Sequence, residues 1–167
     1  MGPQFSIYNK LKKMDMLEVA LSDDGYPIEE NVATFYSNPN YPIHISGLDT
    51  NSFYKCIGKK MCFTAGDYEE YEEFLMYLSY ISGFKTAEDL INFNDPAYFK
   101  ELVNFSRQEG TIGPIVAKKL FHDFRDNFNI AACYFEHCPN GYKHWIHYQN
   151  WCAGLYIAQD DGAIMII

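Results

Sequence analysis

The sequence predicts an α+β fold in which helices pack on one face of a mainly antiparallel sheet. Short segments typical of strands occupy the first third of the chain, and longer segments with helical periodicity follow them. A fully apolar segment, residues 163–167, comes last. Because it is apolar on both faces, we expect this strand to be inserted in the sheet and not to lie at its edge. The length fits one α+β domain, residues 1–167.

The predicted strands of the first third are short and alternate or carry β-branched and aromatic side chains. Three of them lie at residues 5–8, 31–36 and 43–45. Residues 53–57 and 61–65 are predicted to form a hairpin. Its turn would be residues 58–60, because Gly58 is free to take positive φ. Residues 10–21 fit a helix and a strand equally well.

The helical segments are recognised by apolar side chains at a spacing of 3.6 residues. The predicted helices are residues 68–81, a short segment after Thr86, another that starts at Pro96, one that starts at Pro114, and residues 142–157. The helix from Pro114 either continues past Asn127 or breaks near it. Asp67 is the predicted N-cap of the first helix, and the carboxylates that follow it suit the helix dipole.

Charge and composition exclude several classes of protein. The net charge is −9 and the cations are few and scattered, so we expect no nucleic-acid binding. No long apolar run is present, so we expect no membrane association, and no cofactor motif is found. Five cysteines, an odd number, with no signal peptide predict reduced thiols and a cytoplasmic protein. A compact anionic ligand stays open, since backbone N–H groups can hold one.

The first candidate site is a polar, glycine-punctuated turn before Pro114. This turn lies within residues 102–114, and residues 106–109 have the Ser-x-x-Glu spacing of a capping box. Two glycines let the backbone turn its N–H groups outward, and the helix that follows adds its positive end. The candidate ligand-binding residues are Ser106, Arg107, Glu109, Gly110, Thr111 and Gly113. The alternative is that these residues only cap and terminate local structure.

The second candidate site is the strand-to-helix corner at residues 63–71. Tyr68 and Tyr71 would stack on a planar ligand there. Glu69 and Glu70 argue against a phosphate at this corner. The alternative is a solvated, acidic first turn of a helix.

Two further constellations have weaker support. Cys133, His137, Cys138, His144 and His147 are spaced loosely like zinc ligands, but they contain no Cys-x-x-Cys knuckle. Half-buried thiols and surface histidines explain this spacing equally well, so we predict no metal site.

A catalytic interpretation would make Glu109 a general base beside Arg107, with His44 or His122 as its partner. No known catalytic motif supports it, so the sequence leaves open whether the protein is an enzyme.

Three blocks of the chain resemble a family of small uncharacterised proteins found in phages and bacteria. Residues 63–71 resemble Phe-x-Ala-Gly-Ser-Tyr-Ser-Gly-Tyr, residues 103–114 resemble Ile-Asn-Phe-Ser-Asp-x-Glu-Gly-x-Ile-Gly-Pro, and residues 161–164 resemble Gly-Gly-Ala-Val. This chain departs from the pattern by Arg107, which replaces an acid, and by Glu69 and Glu70, which replace Ser and Gly. If the first two blocks face each other, charge has been exchanged across one pocket. The resemblance implies no reaction, but its phage setting implies a role against host defence.

These observations give three hypotheses. The first is a non-catalytic, phage-encoded binding protein that holds a small, nucleotide-like ligand between the two glycine corners. The second is a protein–protein inhibitor that acts through an acidic, tyrosine-rich surface, with a homo-oligomer left open. The third is a small hydrolase that uses Glu109.

Overall fold

The structure, a computed structural model, describes residues 2–167. It confirms the predicted α+β fold. The described strands are β1 (Gln4–Tyr8), β2 (Leu11–Lys13), β3 (Val32–Thr34), β4 (Phe53–Cys56), β5 (Lys60–Thr64), β6 (Gly110–Ile112) and β7 (Ala163–Ile166). The described α-helices are α1 (Tyr68–Ile81), α2 (Ala87–Asn92), α3 (Lys100–Val103), α4 (Pro114–Asp126), α5 (Phe128–Glu136) and α6 (Gly141–Ala158).

The larger sheet has the antiparallel strand order β5-β1-β7-β6. The apolar last strand, β7, lies between β1 and β6, as its sequence predicts. Phe5 and Ile7 of β1 pair with Ile166 and Ile164 of β7. These four side chains are fully buried, so the centre of the sheet is built from the first and last strands of the chain.

The predicted hairpin of residues 53–65 is wrong. β4 pairs with β2 and β3 in a smaller sheet, whereas β5 pairs with β1 in the larger one. The pairing shifts from Tyr8 opposite Lys60 to Leu11 opposite Cys56, so one extra residue bulges out on the β4–β5 side. The ladder bends there from one sheet into the other. Gly58 is needed for space and not for positive φ, because a Cβ would lie 1.9 Å from the side-chain oxygen of Asn9.

Two local predictions are also corrected. Residues 43–45 are not a strand but part of a 3-10 helix, Pro42–Ile45, which proline favours because it lacks an N–H group. The helix expected from Pro96 begins later, at Lys100. Phe99 takes the left-handed conformation just before it, and the Asp123 carboxylate accepts the Phe99 N–H at 2.9 Å.

The helices cover one face of the larger sheet. Trp151 of α6 is fully buried, and its ring lies 4.7 Å from that of Phe5 on β1. Gly154 lets α6 approach the sheet closely, since a Cβ there would already lie 3.3 Å from the Ile7 side chain. A second, smaller core between the two sheets contains Tyr8 and Phe35.

Candidate functional site

The predicted corner before Pro114 is a turn that runs into the edge strand β6. The Ser106 hydroxyl oxygen accepts hydrogen bonds from the N–H groups of Gln108 and Glu109, both at 3.2 Å. No helix begins at this turn, because the chain enters β6 at Gly110. Pro114 starts α4, as its sequence predicts.

The glycine N–H groups of this corner are bonded within the protein. Gly110 N–H donates to the Tyr36 hydroxyl at 3.1 Å, and that hydroxyl donates to the Ile166 carbonyl at 3.3 Å. Gly113 N–H donates to the His44 carbonyl at 2.7 Å. An anion would have to displace these bonds, so binding by this backbone stays a prediction.

Thr111 and Glu109, two residues of the corner that are predicted to bind a ligand, differ in solvent exposure. Thr111 is buried, and its hydroxyl is without a hydrogen-bond partner in the described chain. Glu109 is exposed. Within residues 2–167 neither His44 nor His122 hydrogen-bonds to Glu109, and the His44 Nε2 atom lies 2.6 Å from the Glu101 carbonyl. The described chain therefore gives Glu109 no positioned histidine for general-base catalysis.

Arg107 connects the two predicted blocks. Its Nε atom lies 2.6 Å from the Glu72 carboxylate of α1, and one terminal nitrogen donates to the carbonyls of Val103, at 2.9 Å, and Phe105. The block around Ser106 thus lies beside α1, which is the helix that the other block begins. The Arg107 cation is thus paired with a carboxylate of α1.

The two predicted tyrosines have different environments. Tyr68 is 44% exposed at the start of α1 and is accessible to a ligand. Tyr71 is 1% exposed and packs against Phe5 and Trp151 in the core. Burial raises the pKa of its hydroxyl well above the ordinary value. Tyr71 therefore packs α1 against the core, and its ring is not accessible to a ligand in solvent.

An open groove of about 780 Å³ runs along α1, between the start of α2 and the start of α6. We call it the acidic groove, because its carboxylates outnumber its cations. Its carboxylates are Asp67, Glu69, Glu70, Glu72, Glu73 and Glu88. Its cationic side chains are Lys85 and Lys143.

Two carboxylate–histidine pairs join α1 to α6 along this groove. His144 Nε2 lies 3.0 Å from Glu73 Oε2, and His147 Nε2 lies 3.0 Å from Glu70 Oε1. Burial lowers the pKa of His144, and the nearby Glu73 carboxylate partly opposes that effect. A neutral His144 donates its Nε2 proton to Glu73, which leaves its Nδ1 atom buried without a described partner.

The zinc-like spacing of the sequence is not gathered at one point. His144 and His147 contact carboxylates of α1, whereas the Nδ1 atom of His137 lies 2.9 Å from the carbonyl of Cys133 in its own helix. Among the residues that the structure describes, no group of three or more His, Cys, Asp or Glu side chains is arranged to hold a metal ion.

A second cleft of about 770 Å³ lies on the other side of the Arg107–Glu72 pair. We call it the loop cleft. Ser106, Arg107 and Glu109 line it, opposite Asn38 and Tyr41. The structure therefore gathers three of the predicted binding residues at one surface.

Comparisons with known proteins give no relative, since neither a family model, nor a curated protein, nor a solved structure matches the chain. None of the described helices is long and apolar enough to span a membrane.

The spacing of acids and histidines in the sequence is a signal for the acidic groove. Glu70 and Glu73 are three residues apart on one predicted helix, and His144 and His147 are three residues apart on another. Side chains at this spacing share a helix face, so two such pairs can meet when the helices pack together. The same acids also fit a solvated first turn, because the sequence does not show which helix packs against α1.

Proposed function

We propose that this protein is a non-catalytic binding protein whose acidic groove holds a lysine- or arginine-bearing segment of a partner protein. The observation that carries the proposal is the charge of the groove, where six carboxylates face two lysines. Such a surface attracts cations and steers them during association.

Two of the carboxylates are available for a partner. Glu69 and Glu88 are exposed and make no side-chain hydrogen bond or ion pair within residues 2–167. Met76 and Tyr80 also line the groove. Their apolar surface suits the aliphatic stem of a lysine or arginine, and the tyrosine ring suits its charge.

The shape of the groove favours an extended chain over an enclosed small molecule. It is an open channel along α1 and not a closed cavity. The excess of carboxylates opposes a phosphate-bearing ligand there, because like charges repel most strongly where water is partly excluded. A polypeptide segment can place cations along the channel and leave its remaining residues in solvent.

The proposed setting follows from the sequence. The resemblance to phage proteins makes a host defence protein the first partner to consider, with this chain acting as its inhibitor. All five cysteines are unpaired, which suits the reducing cytoplasm.

The test uses fluorescent peptides and matched charge variants. An arginine- and lysine-rich peptide should bind, and an acidic peptide of the same length should not. Replacing Glu69 and Glu88 with glutamine should weaken binding about 2- to 10-fold, since exposed ion pairs contribute little each. The control replaces Asp23 and Asp24, exposed acids of a distant turn, with asparagine and changes the net charge equally.

Equal weakening by the two double variants would show that only net charge matters and would exclude the groove. Absence of binding to the basic peptide at low salt would exclude the proposal itself.

A second candidate function is supported by the loop cleft, which fits the hypothesis of a small, nucleotide-like ligand. Polar side chains line it, and Arg107, a cation that could pair with a phosphate, is among them. A thermal-shift screen of nucleotides should then show stabilisation of the native protein and none of Arg107→Ala. If no nucleotide shifts the melting temperature, and heat-denatured protein releases no small molecule, this candidate fails.

A further inference from the structure

β5 is a free edge of the larger sheet. It pairs with β1 on one side, and within residues 2–167 no strand pairs with its other side. The opposite edge, β6, has only three residues, and the N–H group of Gly113 just after it donates to the His44 carbonyl.

The register shows which backbone groups of β5 face outward. The flanking N–H groups of Ala65 and Asn9 donate to the carbonyls of Pro3 and Lys59, so the inward hydrogen bonds fall on odd-numbered residues of β5. In an antiparallel ladder these bonds alternate along each strand. The N–H and C=O groups of residues 60, 62 and 64 therefore point away from β1 and are available to another strand.

The side chains along β5 form a self-complementary pattern. Lys59 and Lys60 lie at its start, and the acidic residues Asp67 and Glu69 follow its end. Met61 and Phe63 are half-buried between them, on the face that α6 covers. An antiparallel copy of this strand, centred on Cys62, would place Met61 opposite Phe63 of the other copy.

We propose that β5 pairs with β5 of a second copy of this chain, so that the two larger sheets join into one across a twofold axis. Antiparallel pairing places the lysine end of each strand beside the acidic end of the other, whereas parallel pairing would bring like charges together. The outward groups at Cys62 exchange both hydrogen bonds across the axis. Cross-strand pairing of Met61 with Phe63 buries apolar surface that the single chain leaves half-exposed.

The test measures the mass of the protein in solution by sedimentation over micromolar concentrations. The wild type should have twice the chain mass of 19.4 kDa. Cys62→Pro removes an outward N–H group but no bond of the β1 ladder, and proline is tolerated in edge strands. It should weaken the dimer about tenfold or more. The control Cys62→Ala keeps the N–H group and should leave the dimer intact.

A charge variant decides the matter if Cys62→Pro does not fold. Lys59→Glu should dissociate the dimer, because it places a carboxylate beside the acidic end of the other copy. Lys118→Glu makes the same charge change on exposed α4 and should have no effect. The proposal is overturned by a monomeric wild type, by equal dimer affinity of Cys62→Pro and Cys62→Ala, or by a dimer that Lys59→Glu leaves unchanged.

Discussion

Replacing the buried His144 with phenylalanine should preserve or slightly raise stability at neutral pH and reduce the sensitivity to acid. The His144 ring lies 4.9 Å from Tyr77 and stacks on Phe74, so a phenyl ring preserves this packing. The substitution loses the hydrogen bond to Glu73. Because the Glu73 side chain is 38% exposed, this bond contributes only about 1 kcal/mol to stability. It also removes the buried, unpartnered Nδ1 atom, whose burial costs about 1–3 kcal/mol. The gain equals or exceeds the loss, so the free energy of unfolding at neutral pH should be unchanged or up to about 2 kcal/mol higher.

The acid sensitivity follows from the lowered pKa of His144. Burial holds this pKa below its ordinary value of 6.5 in the folded protein. Below pH 6.5 the unfolded chain therefore binds a proton that the folded chain does not, and stability falls as the pH falls. The loss from this group is at most about 1.4 kcal/mol per pH unit and ends at the folded pKa. His144→Phe should lack this part of the slope.

The assay is urea unfolding followed by tryptophan fluorescence, at about pH 7 and about pH 5, which bracket the ordinary histidine pKa. Equal loss of stability in the wild type and in His144→Phe would refute the reasoning. His44 provides a comparison, because burial also lowers its pKa and its ring packs elsewhere, on Phe105. His44→Phe should remove a separate part of the loss of unfolding free energy between about pH 7 and about pH 5. In the double variant the two reductions of that loss should add.

Two further predictions concern the turn before Pro114. Tyr36→Phe removes the hydroxyl that bridges Gly110 and Ile166. Because Tyr36 is 40% exposed, the variant should lower the free energy of unfolding by about 1 kcal/mol. Tyr156→Phe, at a tyrosine that is 64% exposed, should change it little, and equal urea midpoints for the two variants would contradict the prediction. Arg107→Ala should lower the free energy of unfolding by about 1 kcal/mol, because the carbonyls of Val103 and Phe105 and the Glu72 carboxylate lose their partner. It should also speed limited proteolysis at residues 104–109. Arg125→Ala loses only an exposed pair with its neighbour Asp126, and proteolysis rates no different between the two variants would count against the prediction.

The features that sequence predicts well are local. Asp67 caps α1 by accepting the Glu70 N–H at 2.8 Å, and Pro114 begins α4. The apolar pattern of residues 163–167 correctly places the last strand inside the sheet. These outcomes depend on residues close in the chain or on burial, which a single sequence records.

The features that sequence misses depend on distant partners. Residues 53–65 have the pattern of two strands with a glycine between them, which also describes a hairpin. The segment instead pairs throughout with residues 4–13, and nothing local to it shows this. The acidic groove is not predicted for the same reason. Glu70 and Glu73 form part of it only because α6 packs against α1 and places His147 and His144 beside them.

The position of β1 has a consequence for synthesis of the chain on the ribosome. Phe5 precedes both of its neighbours in the sheet along the chain, Phe63 on one side and Ile166 on the other. β1 is therefore made before either partner: β5 follows it first, and β7 follows only after helices α1–α6. Until β7 is made, the apolar faces of the helices can pack only against a sheet that lacks its central pairing partner of β1. We expect completion of this sheet to be the slow, late step of folding, because contacts so distant in sequence are slow to form.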